Sequence, residues 1–507
     1  MTYEEAQSIV EQALLGGPIE PPSLQLDTVC DLEREARIAC DNHQWGLARD
    51  YFGQLYARNP TNALARDIAA VEMEAGSPSG AIRWFRIALD HDPHDSNSHE
   101  HLIFLYDAQR ESADAIANVE RRNYFERFGR AAYERRQPYT NRRDPHKRIR
   151  VGYVSGYWNH HSAATAFASV LTAHTEQIEP VFYSTLHPKR YDLITHEIWK
   201  KRFARSFIDV HQMTHEWLAK VIREDEIDIL VDLAGYTDGN RLLTFFHKPA
   251  PIQVQAWGYV LGTASPAMDV IFADDVVAPP SVRASLTEQV YSLPSLLGYM
   301  PRTDLPEEMS PLPCLTKPPV FGVFQRAMKT NAETWAVWRE LLDRVPGSTI
   351  IFKAPDYTAG MRERIADAFG PLRNRISFIY STGHREHLLC YQGIDLALDP
   401  WPQTGGVSTL EATYMGVPTV TLLGDRMIQR ASASILTNVG FQSCITQTTH
   451  AYLDRAADLV TTNREELAAM RSTARERLMA SPICSGYVGA VESAYRQLWI
   501  DWCERNP

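Results

Sequence analysis

Apolar positions divide the chain into an all-helical beginning and two stretches in which short apolar runs alternate with helical periods. Up to about residue 135 the spacing is helical. Two segments there repeat one pattern. Trp45, Leu47, Ala48, Phe52 and Leu55 lead to Pro60, and Gly80, Ala81, Ile82, Phe85, Ala88 and Leu89 lead to Pro93. The distance between the prolines is close to the ~34-residue tetratricopeptide period. Small residues near Ala81 and Ala88 let paired helices approach, and each proline ends a helix. A weaker third unit runs from Leu102 through Tyr106 and Ala115 to Ala117. Two readings fit: a short repeat array with a groove that holds a protein or peptide, or a plain helical bundle.

Proline and charge interrupt the period at 136–148, and the texture changes at Ile149. Strands are predicted at 149–156, 181–184, 227–237, 251–257 and 269–277, with helices at 163–174 and 215–223. Six prolines between 301 and 319 mark a boundary. A second series follows, with strands at 320–324, 349–354, 375–380, 394–400 and 418–423. Helices are predicted at 333–342 and 409–415, and a helical tail from 456 to about 503. The expected organisation is a helical-repeat domain (1–135), a linker (136–148), a Rossmann-like domain (149–300), a Pro-rich linker (301–319), a second Rossmann-like domain (320–480) and a terminal helix (481–507). Strands alternating with helices predict parallel α/β sheets. Two such domains facing each other leave a cleft at the carboxyl ends of both sheets.

Composition narrows the function. The 507 residues are 44% hydrophobic and 22% charged, with a formal net charge of -11. That balance argues against a nucleic-acid partner, which calls for a concentrated basic face; the one dense basic stretch, Arg135 to Arg150, lies mostly in the linker. Seven cysteines show no paired CxxC spacing, which suggests free thiols in a reducing compartment. The opening MTYEEAQSIVEQALL starts acidic and lacks the basic region of a signal peptide. No run approaches the ~20 apolar residues that span a bilayer. A cytoplasmic protein without a membrane span is expected.

The strongest chemical signal is PQTGGVSTLEATYMGVPTV, residues 402–420. A strand ends near Asp399, Gly405 and Gly406 follow, and a helix starts near Ser408 or Thr409. Amides at such a helix start, approached closely over glycines, suit a diphosphate. Glu411, on the first turn, is placed to accept from a ligand hydroxyl or to cap local amides. The spacing equally fits an ordinary strand–turn–helix capped by Ser408. His384 and His387 stand at i, i+3, a spacing that in isolation suggests metal ligation. Asp274 and Asp275 do not form a D-x-D metal motif.

These motifs together resemble the protein O-GlcNAc transferase and SPINDLY-like family, over roughly residues 149–480. In the glycine segment Pro402, Gly405, Gly406, Thr409, Leu410, Met415, Gly416, Val417 and Pro418 match. Upstream, Gly235, Tyr236, Thr237, the Pro249–Gln253 run, Gly258, Tyr259, Gly262, Thr263, Met268 and Asp269 fit the family segment, and GDRMIQRASASILTNVG matches including Arg430. The resemblance implies a GT-B fold, two Rossmann-like domains facing a cleft, behind a short tetratricopeptide-like domain.

By the same resemblance, His161 and Lys329 are the catalytic residues. Lys329 is expected on the donor diphosphate, and His161 is expected to take a proton from the acceptor hydroxyl or to orient substrate. Arg326, His384, His387, Gly405, Gly406, Val407, Ser408, Thr409, Glu411 and Arg430 are expected to bind the donor, with His387 against the nucleobase. Gly235, Tyr236, Thr237 and Tyr259 are expected at the acceptor side of the cleft. This chain departs from the family pattern in several places. Glu411 stands for the usual aspartate, Val407 for a threonine, and Ser162 for a proline. Thr165 stands for a second histidine, Arg326 for a glutamine of some members, and His384 for a frequent lysine.

The implied activity is transfer of a sugar, GlcNAc from UDP-GlcNAc, onto serine or threonine of a protein, with inversion. No metal or other cofactor is expected. Alternatives are another donor such as GDP-fucose or UDP-glucose acting on flagellin or an adhesin, a metabolic GT-B enzyme with a small acceptor, or a decayed core serving as a repeat scaffold.

Overall fold

The structure, a computed structural model, describes residues 28–108, 114–301, 306, 309–380 and 383–506. The acidic opening segment lies outside the described residues, as do 302–305 and 307–308 of the Pro-rich stretch. The chain divides into two compact units, Met1–Ser98 and His99–Pro507.

In the first unit, helices α1 (Val29–Asp41), α2 (Trp45–Arg58), α3 (Asn62–Glu74) and α4 (Pro78–His91) follow one another through short turns. Threonine caps start α1 and α3: the Thr28 hydroxyl accepts from the Asp31 amide at 3.1 Å and the Thr61 hydroxyl from the Leu64 amide at 3.2 Å. α2 and α4 each end just before the proline that the repeat pattern marks. Ala48, Phe52 and Leu55 of one copy and Ala81, Phe85 and Ala88 of the next are buried, as the period predicts.

Helix α5 (Ser96–Ala108) leads into the second unit. α6 (Asp114–Tyr124) runs through a π-helical turn at Phe125–Gly129 into α7 (Arg130–Glu134). Their periodicity placed these helices with the repeats, but their apolar face meets the α/β core. Tyr124 packs edge-on against Tyr236 at 5.5 Å between ring centres, and Phe125 against Phe246 at 5.2 Å. The contact boundary therefore falls at Ser98 rather than at 135.

The first sheet holds seven parallel strands: β1 (Ile149–Ser155), β2 (Ile178–Ser184), β3 (Phe207–Asp209), β4 (Ile229–Asp232), β5 (Ile252–Gln255), β6 (Val270–Ala273) and β7 (Gln289–Ser292), in the order β3-β2-β1-β4-β5-β6-β7. Its helices include α8 (Ser162–Leu171), α9 (His215–Glu224), α10 (Leu242–Phe246) and α11 (Pro280–Arg283). The second sheet has β8 (Val320–Val323), β9 (Thr349–Lys353), β10 (Ile376–Ile379), β11 (Leu396–Leu398), β12 (Thr419–Leu422) and β13 (Ile445–Thr446), in the order β10-β9-β8-β11-β12-β13. Around it lie α12 (Ala332–Arg344), α13 (Ala359–Phe369), α14 (His384–Cys390), α15 (Val407–Tyr414), α16 (Ala431–Asn438), α17 (Thr449–Thr461) and α18 (Arg464–Ala480). Central strands β4, β5, β6 and β12 are buried throughout, which explains why they read as continuous apolar runs rather than alternating ones.

The last helix, α19 (Tyr487–Arg505), returns to the first sheet. The Trp257 indole N–H donates to the Tyr487 hydroxyl at 3.0 Å, and Glu492 accepts from the Thr175 amide at 2.7 Å. Tyr495 and Trp499 are fully buried there, each contributing about 1.5–3 kcal/mol by analogy with other large apolar side chains. On the other side, Ser434 of α16 donates to Asp274 after β6. The two sheets are thus tied through both α16 and α19.

Candidate active site

In each sheet the strand order reverses beside its first strand, between β1 and β4 and between β8 and β11. Connections leaving such neighbours diverge to opposite faces and open a crevice at the carboxyl ends. Most of the residues singled out in the sequence follow these four strands; Tyr259 follows β5, His384 and His387 follow β10, and Arg430 follows β12. His161 comes after β1, Gly235 to Thr237 after β4, Arg326 and Lys329 after β8, and the glycine turn after β11.

The glycine turn is held from beneath. Asp399, fully buried, accepts from the Gly405 amide at 2.7 Å and from the Thr421 hydroxyl at 2.6 Å. Ser432 donates to the Gly405 carbonyl at 3.0 Å, and the Thr409 and Ser432 hydroxyls meet at 2.8 Å. A side chain at 405 would place Cβ 2.3 Å from the Thr409 hydroxyl and 2.6 Å from the Gln325 amide nitrogen, so only glycine fits.

This arrangement corrects the expectation for Gly405 and Thr409. Their amides serve the turn itself: Gly405 gives its N–H to Asp399, and Thr409 bonds to the Gly406 carbonyl at 3.0 Å. The first amides of α15, those of Val407 and Ser408, precede the first possible intrahelical bonds. They and the axial dipole form the anion-attracting end.

Lys329 closes the turn from the β8 side. Its ammonium donates to the Thr404 carbonyl at 3.0 Å and to the Gln325 side-chain oxygen at 3.4 Å. Desolvation pulls its pKa down to about 8, against the attraction of Asp399. It stays largely protonated at neutral pH. Arg326 is exposed, 3.4 Å from Asp356.

His384 and His387 converge on Glu411. His387 Nε2 lies 3.3 Å from one carboxylate oxygen and His384 Nδ1 3.8 Å from the other. The His387 ring packs beside Phe324 and edge-on to Tyr391. The three form one cluster with two imidazoles sharing a carboxylate. No group of three or more His, Cys, Asp or Glu placed to hold a metal occurs among the described residues. His160 meets His384 edge-to-face at 5.5 Å, bringing the two halves into contact at the rim of the crevice.

On the first sheet, His161 caps α8. Its Nδ1 accepts from the Ala163 amide at 3.1 Å, and its ring stacks on Tyr157 at 4.2 Å. Burial, then the Arg326 and Arg190 charges, depress its pKa to about 4. The ring is neutral, and with Nδ1 accepting, its proton sits on Nε2. His161 therefore presents a donor and cannot take a proton at Nε2 in this tautomer. Thr165, in place of a second histidine, turns its hydroxyl back to the His161 carbonyl at 3.4 Å.

Three further expectations are corrected. Tyr236 and Tyr259 are buried rather than lining the crevice. The Tyr236 hydroxyl donates to the Thr263 carbonyl at 3.1 Å. The Tyr259 hydroxyl donates to Asp107 and accepts from Arg121 at 3.1 Å. Arg430 gives Nε–H to the Val276 carbonyl at 2.6 Å and a terminal N–H to the Gly424 carbonyl at 2.5 Å, so part of its guanidinium straps the two halves together. Gly235 adopts φ +57, and Cβ there would strike the Tyr259 ring, so it shapes the turn; its amide and that of Ala234 bond to Asp232, whose carboxyl burial pushes up to about 6. Thr237 is half-buried and donates to the Ala234 carbonyl at 2.7 Å.

Sequence reasoning missed Asp399, Gln325, Ser432 and Tyr157. Only Asp399 carries a signal, as a carboxylate closing a strand directly before a glycine turn.

A crevice at two switch points, with a lysine and a helix start on one side, defines the GT-B glycosyltransferase class. The model of glycosyl transferase family 41 matches residues 89–305 and 314–488, and the chain belongs to that family. It is 28% identical over 425 residues to the "Probable UDP-N-acetylglucosamine--peptide N-acetylglucosaminyltransferase SPINDLY" of Arabidopsis thaliana, covering 82% of this chain and 46% of that one. The protein of the same name from Petunia hybrida is 29% identical, over 82% and 45%. The chain thus spans about half the length of the curated relatives it matches. The solved O-GlcNAc transferase of Thermobaculum terrenum superposes with a TM-score of 0.85 at 26% identity, covering 100% of both chains. Among the described residues no helix is long and apolar enough to cross a membrane.

Proposed function

We propose that the protein transfers GlcNAc from UDP-GlcNAc to serine or threonine hydroxyls of a protein acceptor, with inversion at the anomeric carbon. The observation that carries this reading is Lys329 seated on the Thr404 carbonyl beside the start of α15. In the reaction the acceptor oxygen bonds to the anomeric carbon while the bond to the diphosphate breaks and its electrons leave with UDP. The growing charge meets the Lys329 ammonium and the amides of Val407 and Ser408. His161 donates Nε2–H to substrate and orients it. The acceptor proton goes to a diphosphate oxygen or to solvent, since Nε2 already holds a hydrogen.

The Glu411 carboxylate between His384 and His387 faces the nucleoside end and accepts from its hydroxyls, while His387 packs against the base. No metal is required, because a helix dipole and a fixed cation offset the diphosphate. The printed names of the plant and Thermobaculum proteins support this donor and a peptide acceptor; the helical repeats of the first unit suit a peptide partner. Seven unpaired cysteines fit a reducing, cytoplasmic setting.

The test is to incubate the purified chain with UDP-GlcNAc, UDP-glucose or GDP-fucose and a protein lysate, then read mass shifts on proteins. Transfer from UDP-GlcNAc that Lys329→Ala abolishes is expected. Transfer from another donor overturns the donor assignment. Absence of transfer, together with no thermal shift from any donor, overturns the enzyme.

A further inference from the structure

At the end of the first sheet opposite the crevice lies a pocket of about 480 Å3, within the size range of small-ligand sites. Its walls precede strands: Arg148 and Arg150 stand at the start of β1, residues 171–179 lead into β2, residues 202–206 into β3, and Asp225 precedes β4. The crevice residues follow the same strands. Since β1, β2, β3 and β4 run parallel, pocket and crevice are separated by the length of β1, roughly 20 Å.

Four guanidinium groups border this pocket. Arg150 is paired, its Nε 3.4 Å from Glu179. The other three have no carboxylate partner. Arg148 donates to the Ile178 carbonyl at 3.1 Å, Arg202 to the Thr172 carbonyl at 2.6 Å, and Arg205 makes no hydrogen bond or ion pair among the described residues. Two carboxylates besides Glu179 line the walls. Asp225 accepts from the Tyr183 hydroxyl at 2.6 Å, and Glu176 is exposed, leaving the pocket with an excess of one positive charge.

A chain of net charge -11 does not gather arginines by composition. Arg148, Arg202 and Arg205, none of them in an ion pair among the described residues, repel one another, and the pocket keeps an excess of one positive charge. A dianionic ligand removes that repulsion, and guanidinium forks match phosphoryl oxygens in geometry. Apolar floor residues such as Ile178, Val181 and Ile208 lower the local dielectric and strengthen the attraction.

We propose that this pocket binds a small phosphorylated ligand through Arg148, Arg202 and Arg205, separately from the crevice. The test is calorimetric titration of inorganic pyrophosphate into the full chain, into Lys329→Ala and into the double variant Arg202→Glu/Arg205→Glu, with Arg202→Ala/Arg205→Ala as a milder partner. Both substituted positions, Arg202 and Arg205, are exposed, and circular dichroism checks the fold. Saturable binding that survives Lys329→Ala and weakens at least about tenfold in both arginine variants is expected. Binding lost only in Lys329→Ala, binding unchanged in the arginine variants, or no saturable binding overturns the proposal. Citrate binding as tightly as pyrophosphate overturns its phosphoryl selectivity.

Discussion

The two walls of the crevice are built in different ways. The β8–β11 wall is mostly local: Asp399, Gly405, Thr409 and Glu411 fall within thirteen residues, with Thr421 and Ser432 bracing the turn and Lys329 meeting the Thr404 carbonyl. The β1–β4 wall is assembled from afar. His161 is oriented by its own helix start and stacked on Tyr157, and its pKa is depressed by burial and then by Arg326 of the other wall. The Tyr236–Tyr259 region behind it is fixed by Asp107 and Arg121 of α5 and α6. A compact motif is set by neighbours in sequence, whereas a dispersed wall is set by the rest of the molecule.

The largest expected effect breaks the local wall. Lys329→Ala removes the one ammonium at the turn and lowers kcat by about 100- to 1000-fold, measured by steady-state transfer. Gly405→Ala comes next. Its Cβ meets the Thr409 hydroxyl at 2.3 Å, and the forced shift costs about 1–3 kcal/mol. Donor affinity, read by calorimetry, falls about tenfold or more.

The dispersed wall is sharpened by His161. His161→Ala lowers kcat about 10- to 100-fold, and His161→Gln, whose amide restores an N–H, recovers part of it. A proton-accepting role gives no such recovery, since it needs the 10²-fold or larger contribution of a true base. The pH profile separates the walls further. A lysine with pKa lowered to about 8 is charged below that value and loses its charge above it. kcat/KM for the donor therefore falls as pH rises through about 8. His161 is neutral down to about 4 and adds no acid limb at ordinary pH. The smallest effect on turnover belongs to Tyr259→Phe. It removes a buried hydrogen bond to Asp107 and costs about 1.5–3 kcal/mol of stability, seen as a lower Tm with kcat unchanged.

Legibility followed burial. The strands readable from the chain are the central, fully apolar ones, together with β2, β9 and β10. The three that escaped, β3, β7 and β13, are sheet edges. β3 is three residues long, β13 two, and β7 reads Gln-Val-Tyr-Ser with both ends exposed. An edge strand needs little apolar surface, so its pattern is indistinct from a loop. The helices at α5 to α7 were readable as helices, but their partner was not. An amphipathic face records that it is buried and not against what.

In the site, the glycine turn was legible because its residues are adjacent in sequence; Lys329, 75 residues away from the Thr404 carbonyl it meets, was marked only by the family resemblance. Arg430, Tyr236 and Tyr259 matched a family pattern, and in the structure each makes hydrogen bonds that hold the architecture. A match in sequence does not distinguish a strap from a contact.

By itself the sequence determined the order of helices and strands, the two Rossmann halves and the strand–glycine turn–helix at 399–414, because periodicity, glycine sterics and helix starts act over a few residues. Tertiary structure alone decided that Arg430 ties Val276 to Gly424, that Tyr259 is held by Asp107 and Arg121, and that Lys329 sits on the Thr404 carbonyl, because burial and long-range hydrogen bonds join residues the chain keeps far apart.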